Sequence, residues 1–254
     1  MTALPEVARA FGRAAAGYDR HARLQQKVAD WLLSELSPGP RLLDVGCGTG
    51  YCLEQLGGGI GLDISAGMLA HCQQKGHRQL LQADASALPL ASHSIDTVVS
   101  SLALQWCVDL PAALAELARV LRPGGCWHLA LPLAGSLNEL ATAWQDQRPH
   151  LLALPAAAKL QALLPPQASL TVRRFTCYYP DLSALRASLK GIGAHHVPGR
   201  SSGLTGRHRY QRFLDNLERQ RTAQGLPLTY LIGRIQWQKP CLSPAPTPMP
   251  VKPT

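Results

Sequence analysis

The sequence predicts an α/β protein built on a doubly wound, mostly parallel sheet with helices on both faces. Two observations lead to this prediction. Short apolar runs alternate with helix-like segments between residues 41 and 131, which is the pattern of repeated βα units. The apolar run at 42–45 also ends in three alternate glycines, Gly46, Gly48 and Gly50. Such a turn leads from a buried strand into a helix at the carboxyl edge of a sheet, where open α/β proteins bind their ligands.

The first half of the chain supplies most of the predicted sheet. Residues 4–20 are rich in alanine but are interrupted by Gly12 and Gly17, which indicates short helical segments with joints. The next helix has one apolar face, formed by Leu24, Val28, Trp31, Leu32 and Leu36. Strands are then expected at 41–45, 59–63, 79–83, 95–100 and 126–131. Further helices are expected near 50–57, near 65–75 with Ser65 as N-cap, and near 111–121, ended by Pro123, Gly124 and Gly125.

Beyond Pro132 the strict alternation gives way to helical inserts between the later strands. Residues 136–164 have a helical pattern broken by prolines. A strand at 169–179, helices near 181–190 (Asp181 as N-cap) and 205–220, and a strand at 227–237 complete the expected elements. Inserts at the carboxyl edge of a sheet usually cover the binding site, so we expect a helical lid.

We therefore expect a single domain over residues 1–237. Its parts are an N-terminal helical lid, a cofactor-binding core, a region of lid and substrate inserts with strand six, and a closing strand (1–36, 37–131, 132–226 and 227–237). Residues 238–254 contain six prolines, which predicts a disordered tail.

Composition narrows the function classes. The chain has 254 residues and a formal net charge of +9, which favours an acidic partner or substrate. Its seven cysteines are odd in number and show no C-x-x-C spacing, which argues against a disulfide framework or a zinc site and favours reduced thiols. The sequence contains neither an apolar run of ~18 residues nor a signal-peptide pattern, so we expect a cytoplasmic protein without membrane contact. A nucleic-acid partner ranks lower, because no basic motif interleaved with aromatic residues is present.

Three acids follow successive predicted strands and indicate the ligand. Asp44 precedes the glycine turn, Asp63 ends the second strand and Asp84 follows the third. A carboxylate next to a pyrophosphate would be repelled, whereas one next to a cationic ligand is favoured. S-adenosylmethionine has an ammonium and a sulfonium group and no phosphate; Asp63 would accept hydrogen bonds from its ribose and Asp84 would lie at its adenine. The competing interpretation, a tight turn with solvated acids, explains fewer of these positions.

Four parts of the sequence resemble the class I S-adenosylmethionine-dependent methyltransferases: residues 44–50, Asp63, Asp84 and residues 116–125. Further stretches resemble one family within that class, the malonyl-acyl-carrier-protein O-methyltransferases of biotin synthesis. They are 10–15 with Tyr18, Asp19, His21 and Ala22; 101–107 (Ser-Leu-Ala-Leu-Gln-Trp-Cys); 135–140; 188–194 (Ser-Leu-Lys-Gly-Ile-Gly-Ala); and 227–230 (Pro-Leu-Thr-Tyr). The resemblance covers about residues 8–237, with a poor match between 146 and 170.

The resemblance implies a seven-stranded sheet with an antiparallel last strand, and methyl transfer from S-adenosylmethionine to the free carboxylate of malonyl-acyl carrier protein. It also implies an acidic carrier protein as partner, and we expect a monomer. The residues expected to bind the cofactor are Asp44, Gly46, Cys47, Gly48, Gly50, Asp63, Ile64, Met68, Asp84, Ala85, Ser101 and Leu102.

A carboxylate acceptor is already an anion at pH 7, so it needs no general base. The task of the enzyme is then alignment and exclusion of water, and we predict neither a catalytic His–Asp pair nor a metal. The candidates for holding the acceptor are Tyr18, Gln105, Trp106, Lys190 and Arg13. Packing alone would also explain the two aromatic residues, and a solvated helix-end charge would explain Lys190.

The second half of the chain is rich in arginine, which leaves two interpretations open. These residues form either a solvated face or a docking surface for the acidic carrier. They are Arg173, Arg174, Arg200, Arg207, Arg209, Arg212, Arg219 and Arg221. Two alternatives for the whole protein also stay open at this stage: a methyltransferase for another small carboxylate or an oxygen or carbon acceptor, and a cofactor-binding protein without catalysis.

Overall fold

The structure is a computed structural model, and it describes residues 4–144, 151–191 and 207–241. Its helices are α1 (Leu4–His21), α2 (Arg23–Leu33), α3 (Tyr51–Gln55), α4 (Ala66–Gln74), α5 (Leu110–Val120), α6 (Asn138–Trp144), α7 (Ala157–Gln161), α8 (Leu182–Gly191) and α9 (Arg207–Glu218). Its strands are β1 (Leu42–Val45), β2 (Ile60–Asp63), β3 (Leu80–Gln82), β4 (Ile95–Ser101), β5 (Leu121–Pro132), β6 (Ser169–Tyr179) and β7 (Leu226–Gln238). A 3₁₀ turn covers Leu104–Trp106.

The described strands form one seven-stranded sheet in the order β3-β2-β1-β4-β5-β7-β6. The first five strands in this order pair in parallel, and β7 runs antiparallel to both β5 and β6. The predicted fold class and the antiparallel last strand are therefore confirmed. Because β1 is central and fully buried, the loop at its carboxyl end lies at the middle of the sheet edge.

The N-terminal region differs from the prediction, because α1 is one continuous helix and not a set of jointed segments. Gly12 serves close packing instead. A Cβ on Gly67 of α4 would lie 2.7 Å from the Gly12 Cα, and one on Gly12 would lie 3.2 Å from the Ser65 Oγ, so a side chain on Gly67 would clash with α1 and one on Gly12 would be crowded. Further along α1, Asp19 accepts a hydrogen bond from Thr49 in the glycine loop (2.6 Å) and pairs with Lys75 (2.8 Å). The helix is thereby fixed over the loop that follows β1.

The boundary between α5 and β5 is also displaced from the prediction. The helix ends at Val120, and the Pro-Gly-Gly segment lies inside β5 instead of ending the helix. Leu121 is fully buried and pairs with Ile95, which favours an early strand start. A Cβ on Gly125 would lie 2.9 Å from the Asp96 carbonyl oxygen, so glycine permits the irregular pairing at this point.

The remaining elements agree closely with the pattern. Ser65 accepts a hydrogen bond from the Met68 amide and Asp181 from the Ala184 amide, which confirms both predicted N-caps. The helical prediction for 136–164 holds for α6 and α7 but is wrong for 151–156, which are not helical, and 145–150 lies outside the described residues. The predicted boundary at position 238 differs from the structure: Gln238 is still in β7, and the Lys239 amide donates to the Gly125 carbonyl (2.8 Å). Residues 242–254 lie outside the described part of the chain.

All seven cysteines are free thiols. Within the described ranges, none of the helices has the length and apolar character needed to cross a bilayer.

The close contact between α1 and α4 gives a first test. We expect Gly67→Ala to lower the free energy of unfolding by about 1–3 kcal/mol, because the new methyl group meets backbone of α1 that cannot move aside easily. Gly17→Ala is the control: its Cβ would meet only the end of the Arg20 side chain at 3.9 Å, so helix propensity should raise stability by about 0.5–1 kcal/mol. Chemical denaturation measures both, and a Gly67→Ala variant as stable as wild type would contradict this packing.

Candidate functional site

The glycine loop after β1 is tied to the end of β2 by backbone hydrogen bonds. The amides of Gly46 and Cys47 both donate to the Leu62 carbonyl, at 2.7 and 3.0 Å. Gly46 and Gly48 have φ values of +72° and +54°, which side chains rarely adopt. A Cβ on Gly46 would also lie 2.1 Å from the Ala103 Cβ. The loop therefore needs glycine for its conformation and for its approach to the segment after β4.

Asp63 is the acid that this loop holds at the tip of β2. Its Oδ2 accepts a hydrogen bond from the Gly48 amide (2.9 Å), and its Oδ1 accepts one from the Ser65 amide (2.8 Å). Burial raises the pKa of this carboxyl group, while the backbone hydrogen bonds act in the opposite direction. The carboxylate is thus fixed in orientation, with lone pairs left on both oxygens for a ligand.

A cavity of about 100 Å³ opens in front of the loop and of Asp63, and we call it the cofactor cavity. It brings together most of the residues predicted to bind the cofactor. These are Gly46, Gly48, Asp63, Ile64, Met68, Asp84, Ala85, Ser101 and Leu102. The hydroxyl oxygen of Ser101 is buried without a hydrogen-bond partner among the described residues.

Asp44, Cys47 and Gly50 are outside the lining of this cavity. Cys47 packs with Leu53, Leu69 and Cys72 in a small apolar cluster. A Cβ on Gly50 would lie 2.7 Å from the Cys72 Sγ, so this glycine leaves room for the helices behind the loop. Cys47 and Gly50 therefore contribute to the packing behind the glycine loop and do not line the cofactor cavity.

Asp44 is buried directly behind the loop and has an unusual environment. One of its carboxylate oxygens, Oδ2, has no hydrogen-bond partner among the described residues. Burial, followed by the nearby Asp63 and Cys72, raises the Asp44 pKa to about 8. A cation bound in front of the loop would stabilise the ionised form and lower this pKa.

A second, larger cavity of about 350 Å³ lies next to the first, and we call it the acceptor cavity. Four residues line both cavities and form their junction: Phe11, Tyr18, Leu102 and Trp106. The Phe11 and Trp106 rings meet edge to face with centroids 5.4 Å apart. Most of the acceptor cavity is apolar, with walls from α6, α8 and α9.

The residues predicted to hold the acceptor divide into two groups. Tyr18 and Trp106 lie at the junction and Gln105 lines the acceptor cavity, whereas Arg13 and Lys190 are exposed and line neither cavity. The Tyr18 hydroxyl has no hydrogen-bond partner among the described residues. Burial above all, with smaller contributions from Asp63 and Asp19, raises the Tyr18 pKa well above its usual value. Tyr18 is therefore a neutral hydrogen-bond donor at the junction.

Gln105 has a structural task at the same place. Its Nε2 donates to the Leu102 carbonyl at 2.6 Å, and the Leu102 amide donates to the Ala130 carbonyl at 2.9 Å. Leu102 is held by these bonds at a φ of +54°, which is rare for a residue with a branched side chain. Such strain is typical of functional sites, and it places Leu102 between the two cavities.

Sequence reasoning missed three residues of this site. Phe11 and Tyr230 lay within the stretches that carried the family resemblance, but neither had an assigned role. Arg186 lay outside those stretches, and it is the only charged residue among the described residues that line the acceptor cavity. A motif indicates membership of a family, whereas the cavity wall depends on how distant helices pack.

The described residues bring no three His, Cys, Asp or Glu side chains close enough to hold a metal ion. The chemistry of the residues around the cofactor cavity fits S-adenosylmethionine. The oriented carboxylate of Asp63 faces the glycine loop, and the Asp44 carboxylate, which lacks a partner on one oxygen, lies behind the loop. Asp63 and Asp84 would hold its nucleoside, and the glycine loop would lie against its amino-acid part. When bound, this co-substrate supplies a methyl group activated by a sulfonium.

The sheet order, the glycine loop and the acid at the end of β2 define a class I methyltransferase. A family model for the methyltransferase domain matches residues 43–129. The fold is shared with the solved structure of an S-adenosylmethionine-dependent methyltransferase from Thermotoga maritima, described as a possible histamine N-methyltransferase. That match has a TM-score of 0.54 and 17% identity, and covers 89% of this chain and 98% of the other.

The sequence relatives are more specific. The chain is 40% identical to the malonyl-[acyl-carrier protein] O-methyltransferase of Alcanivorax borkumensis, over 92% of this chain and 86% of the relative. It is also 40% identical to a bifunctional biotin biosynthesis protein of Cellvibrio japonicus, and spans 50% of that longer protein. The chain belongs to the malonyl-[acyl-carrier protein] O-methyltransferase family.

The raised pKa of Asp44 predicts how stability depends on pH. Its ordinary pKa is near 3.9, so between that value and about 8 the folded protein binds a proton that the unfolded chain has lost. Without ligand, the free energy of unfolding should therefore fall as pH rises through this window. The contribution of one proton to the slope is at most about 1.4 kcal/mol per pH unit. Asp44→Asn should flatten the slope, although Asp63 keeps part of it.

Denaturation midpoints between pH 5 and 8.5 measure this slope. Asp215→Asn is the control, because Asp215 is exposed on α9 and should leave the slope at its wild-type value. Equal slopes for wild type and Asp44→Asn would show that Asp44 titrates normally and would refute the assigned environment.

Proposed function

We propose that this protein transfers a methyl group from S-adenosylmethionine to the free carboxylate of malonyl-acyl carrier protein, an early step of biotin synthesis. The observation that supports it best is the junction of two unlike cavities. One cavity is lined by acids suited to a cationic donor, and the other is apolar and suited to an acyl thioester. The family of the chain supports the same reaction.

The chemistry asks little of the protein beyond positioning. The acceptor oxygen is already an anion, so no side chain has to remove a proton. Opposite charges disappear as the methyl group moves, and a site without water favours that change. Phe11, Leu102 and Trp106 surround the junction with apolar surface and exclude water there. The protonated Tyr18 hydroxyl is proposed to hold one carboxylate oxygen while the other stays free to attack.

Gln105, Arg13 and Lys190 have supporting roles in this proposal. Gln105 fixes Leu102 at the junction. Lys190 lies at the end of α8, where a Cβ on Gly191 would lie 2.3 Å from the His21 ring, so this end of α8 packs against the last turn of α1. We assign Lys190 and Arg13, both exposed, to attraction of the anionic substrate and not to contact with the reacting carboxylate.

The carrier protein is proposed to approach over the basic side of α8 and α9. Arg186, Arg212 and Arg219 are exposed there, and Arg186 also lines the acceptor cavity. Arg173 and Arg174 are exposed on the edge strand β6, while Arg221 is paired with Glu218. Arg200 and the side chain of Arg207 lie outside the described residues. A monomer in the cytoplasm, with a single acidic carrier as its macromolecular partner, completes the proposal.

An acceptor-specificity assay tests the function. Incubated with S-adenosylmethionine, the protein should methylate malonyl-acyl carrier protein and yield a base-labile methyl ester detected by intact mass. Acetyl-acyl carrier protein lacks the carboxylate and should gain no methyl group. Added salt should slow the reaction with malonyl-carrier more than the reaction with a small malonyl thioester, because the acidic carrier docks through many charges and the small thioester has only its carboxylate. Methylation of acetyl-carrier or RNA in place of malonyl-carrier would overturn the proposal.

A further inference from the structure

We infer that the hydroxyl group of Tyr230 positions the acceptor by donating a hydrogen bond to the carbonyl oxygen of the malonyl thioester. This inference rests on the proposed function and adds a residue that recognises the thioester itself. It would make the site select a thioester-linked malonyl group, and not only any carboxylate that reaches the junction.

The position of Tyr230 separates it from the cofactor. It lies on β7 and lines the acceptor cavity, but not the cofactor cavity. It packs against the same core cluster as Leu102, which is one of the four junction residues. Tyr230 is therefore close to the junction but on the acceptor side of it.

The Tyr230 hydroxyl can donate a hydrogen bond to a ligand in the acceptor cavity. Among the described residues it has no hydrogen-bond partner. Burial, together with Tyr179, Cys177 and Glu139, raises its pKa well above the usual value, so the hydroxyl keeps its proton. Apolar side chains such as Leu137 and Leu185 line the same cavity. Tyr230 is partly buried in this wall, so its hydroxyl can donate to a ligand that enters the cavity.

Two polar groups on the same wall are held by bonds within the protein. The Ser136 hydroxyl donates to the Leu231 carbonyl (3.2 Å) and accepts from the Leu231 amide (2.9 Å). The Gln105 amide group donates to Leu102. Ser136 therefore has no free proton, and Gln105 is fixed in orientation by its bond to Leu102, whereas the described residues leave the Tyr230 hydroxyl free to donate to a ligand.

The substrate has two kinds of oxygen that could accept this proton. The carboxylate has to reach the junction, where the methyl donor and Tyr18 lie. The thioester carbonyl is separated from it by one methylene carbon, so it lies further into the acceptor cavity, on the side of Tyr230. Tyr18 is therefore placed for the carboxylate, and Tyr230 is placed for the thioester carbonyl.

Equilibrium binding to two loaded carriers tests the assignment. One carrier bears malonyl as a thioester, and the other bears the thioether analogue in which a methylene replaces the carbonyl and the carboxylate is kept. S-adenosylhomocysteine is present, so neither is methylated, and calorimetry gives the Kd of each. Wild type should prefer the thioester about 3–10-fold, the range expected for one neutral hydrogen bond. Tyr230→Phe should reduce this preference to about 1, with unchanged affinity for S-adenosylhomocysteine.

Tyr179→Phe is the matched control. Its hydroxyl bonds to the Ser188 hydroxyl at 3.1 Å, and its ring packs in the same region without lining the acceptor cavity, so the wild-type preference should persist. If Tyr230→Phe folds poorly, Tyr230→Leu supplies the same comparison, because a ratio of two Kd values does not depend on the folded fraction.

Three results would be decisive against the inference. A wild type that binds both carriers equally has no contact with the carbonyl. A Tyr230→Phe variant that keeps the wild-type preference lacks the proposed bond, and one that loses affinity equally for both carriers shows that the hydroxyl serves the carboxylate or the fold. If malonyl-carrier does not bind to wild type at all, the proposed function itself fails, which is a separate outcome.

Discussion

The site depends on one interaction: the Asp63 carboxylate at the tip of β2, held by the backbone of the glycine loop. The Gly48 amide bonds to one oxygen of Asp63 and the Ser65 amide to the other, while the loop amides of Gly46 and Cys47 bond to Leu62. These bonds fix the strand, the loop and the start of α4 relative to each other. A ligand that meets Asp63 is therefore met by the loop as well. The hydrogen bonds of Asp63 and of the glycine loop therefore determine the shape of the cofactor cavity.

The two cavities show how the chain separates its tasks. The parallel half of the sheet carries the acids and the glycine loop, whereas β5, β7 and the helical inserts build the apolar acceptor side. Helix α1 covers both cavities, because Phe11 and Tyr18 lie at their junction. The hydrogen bond between Thr49 and Asp19 fixes this helix to the glycine loop. A charge-neutralising transfer benefits from this design, since the reacting groups meet where water is excluded.

The sequence predicted the parts of the molecule that local patterns determine. The alternation of apolar runs with helical segments predicted the sheet. The acids after successive strands predicted that Asp63 and Asp84 would lie at one site, and both line the cofactor cavity. Gly12 of α1 was misread as a joint, because a glycine for close packing and a glycine for a turn look the same until the neighbouring helix is known. Arg186 and Tyr230 could not be assigned, since the acceptor wall is formed by elements far apart in the chain. Lys190, which lies in a stretch that resembles the family, and Arg13 were candidates for holding the carboxylate, but both are exposed, and we assign them to attraction of the substrate.

The structure of the protein bound to S-adenosylhomocysteine and a malonyl thioester tests the central claim most directly. The account predicts both ribose hydroxyls on the Asp63 carboxylate, and the sulfur atom at the junction of Tyr18 and Trp106, facing the malonyl carboxylate. A ribose bound away from Asp63, or a sulfur atom that faces away from the acceptor cavity, would contradict it.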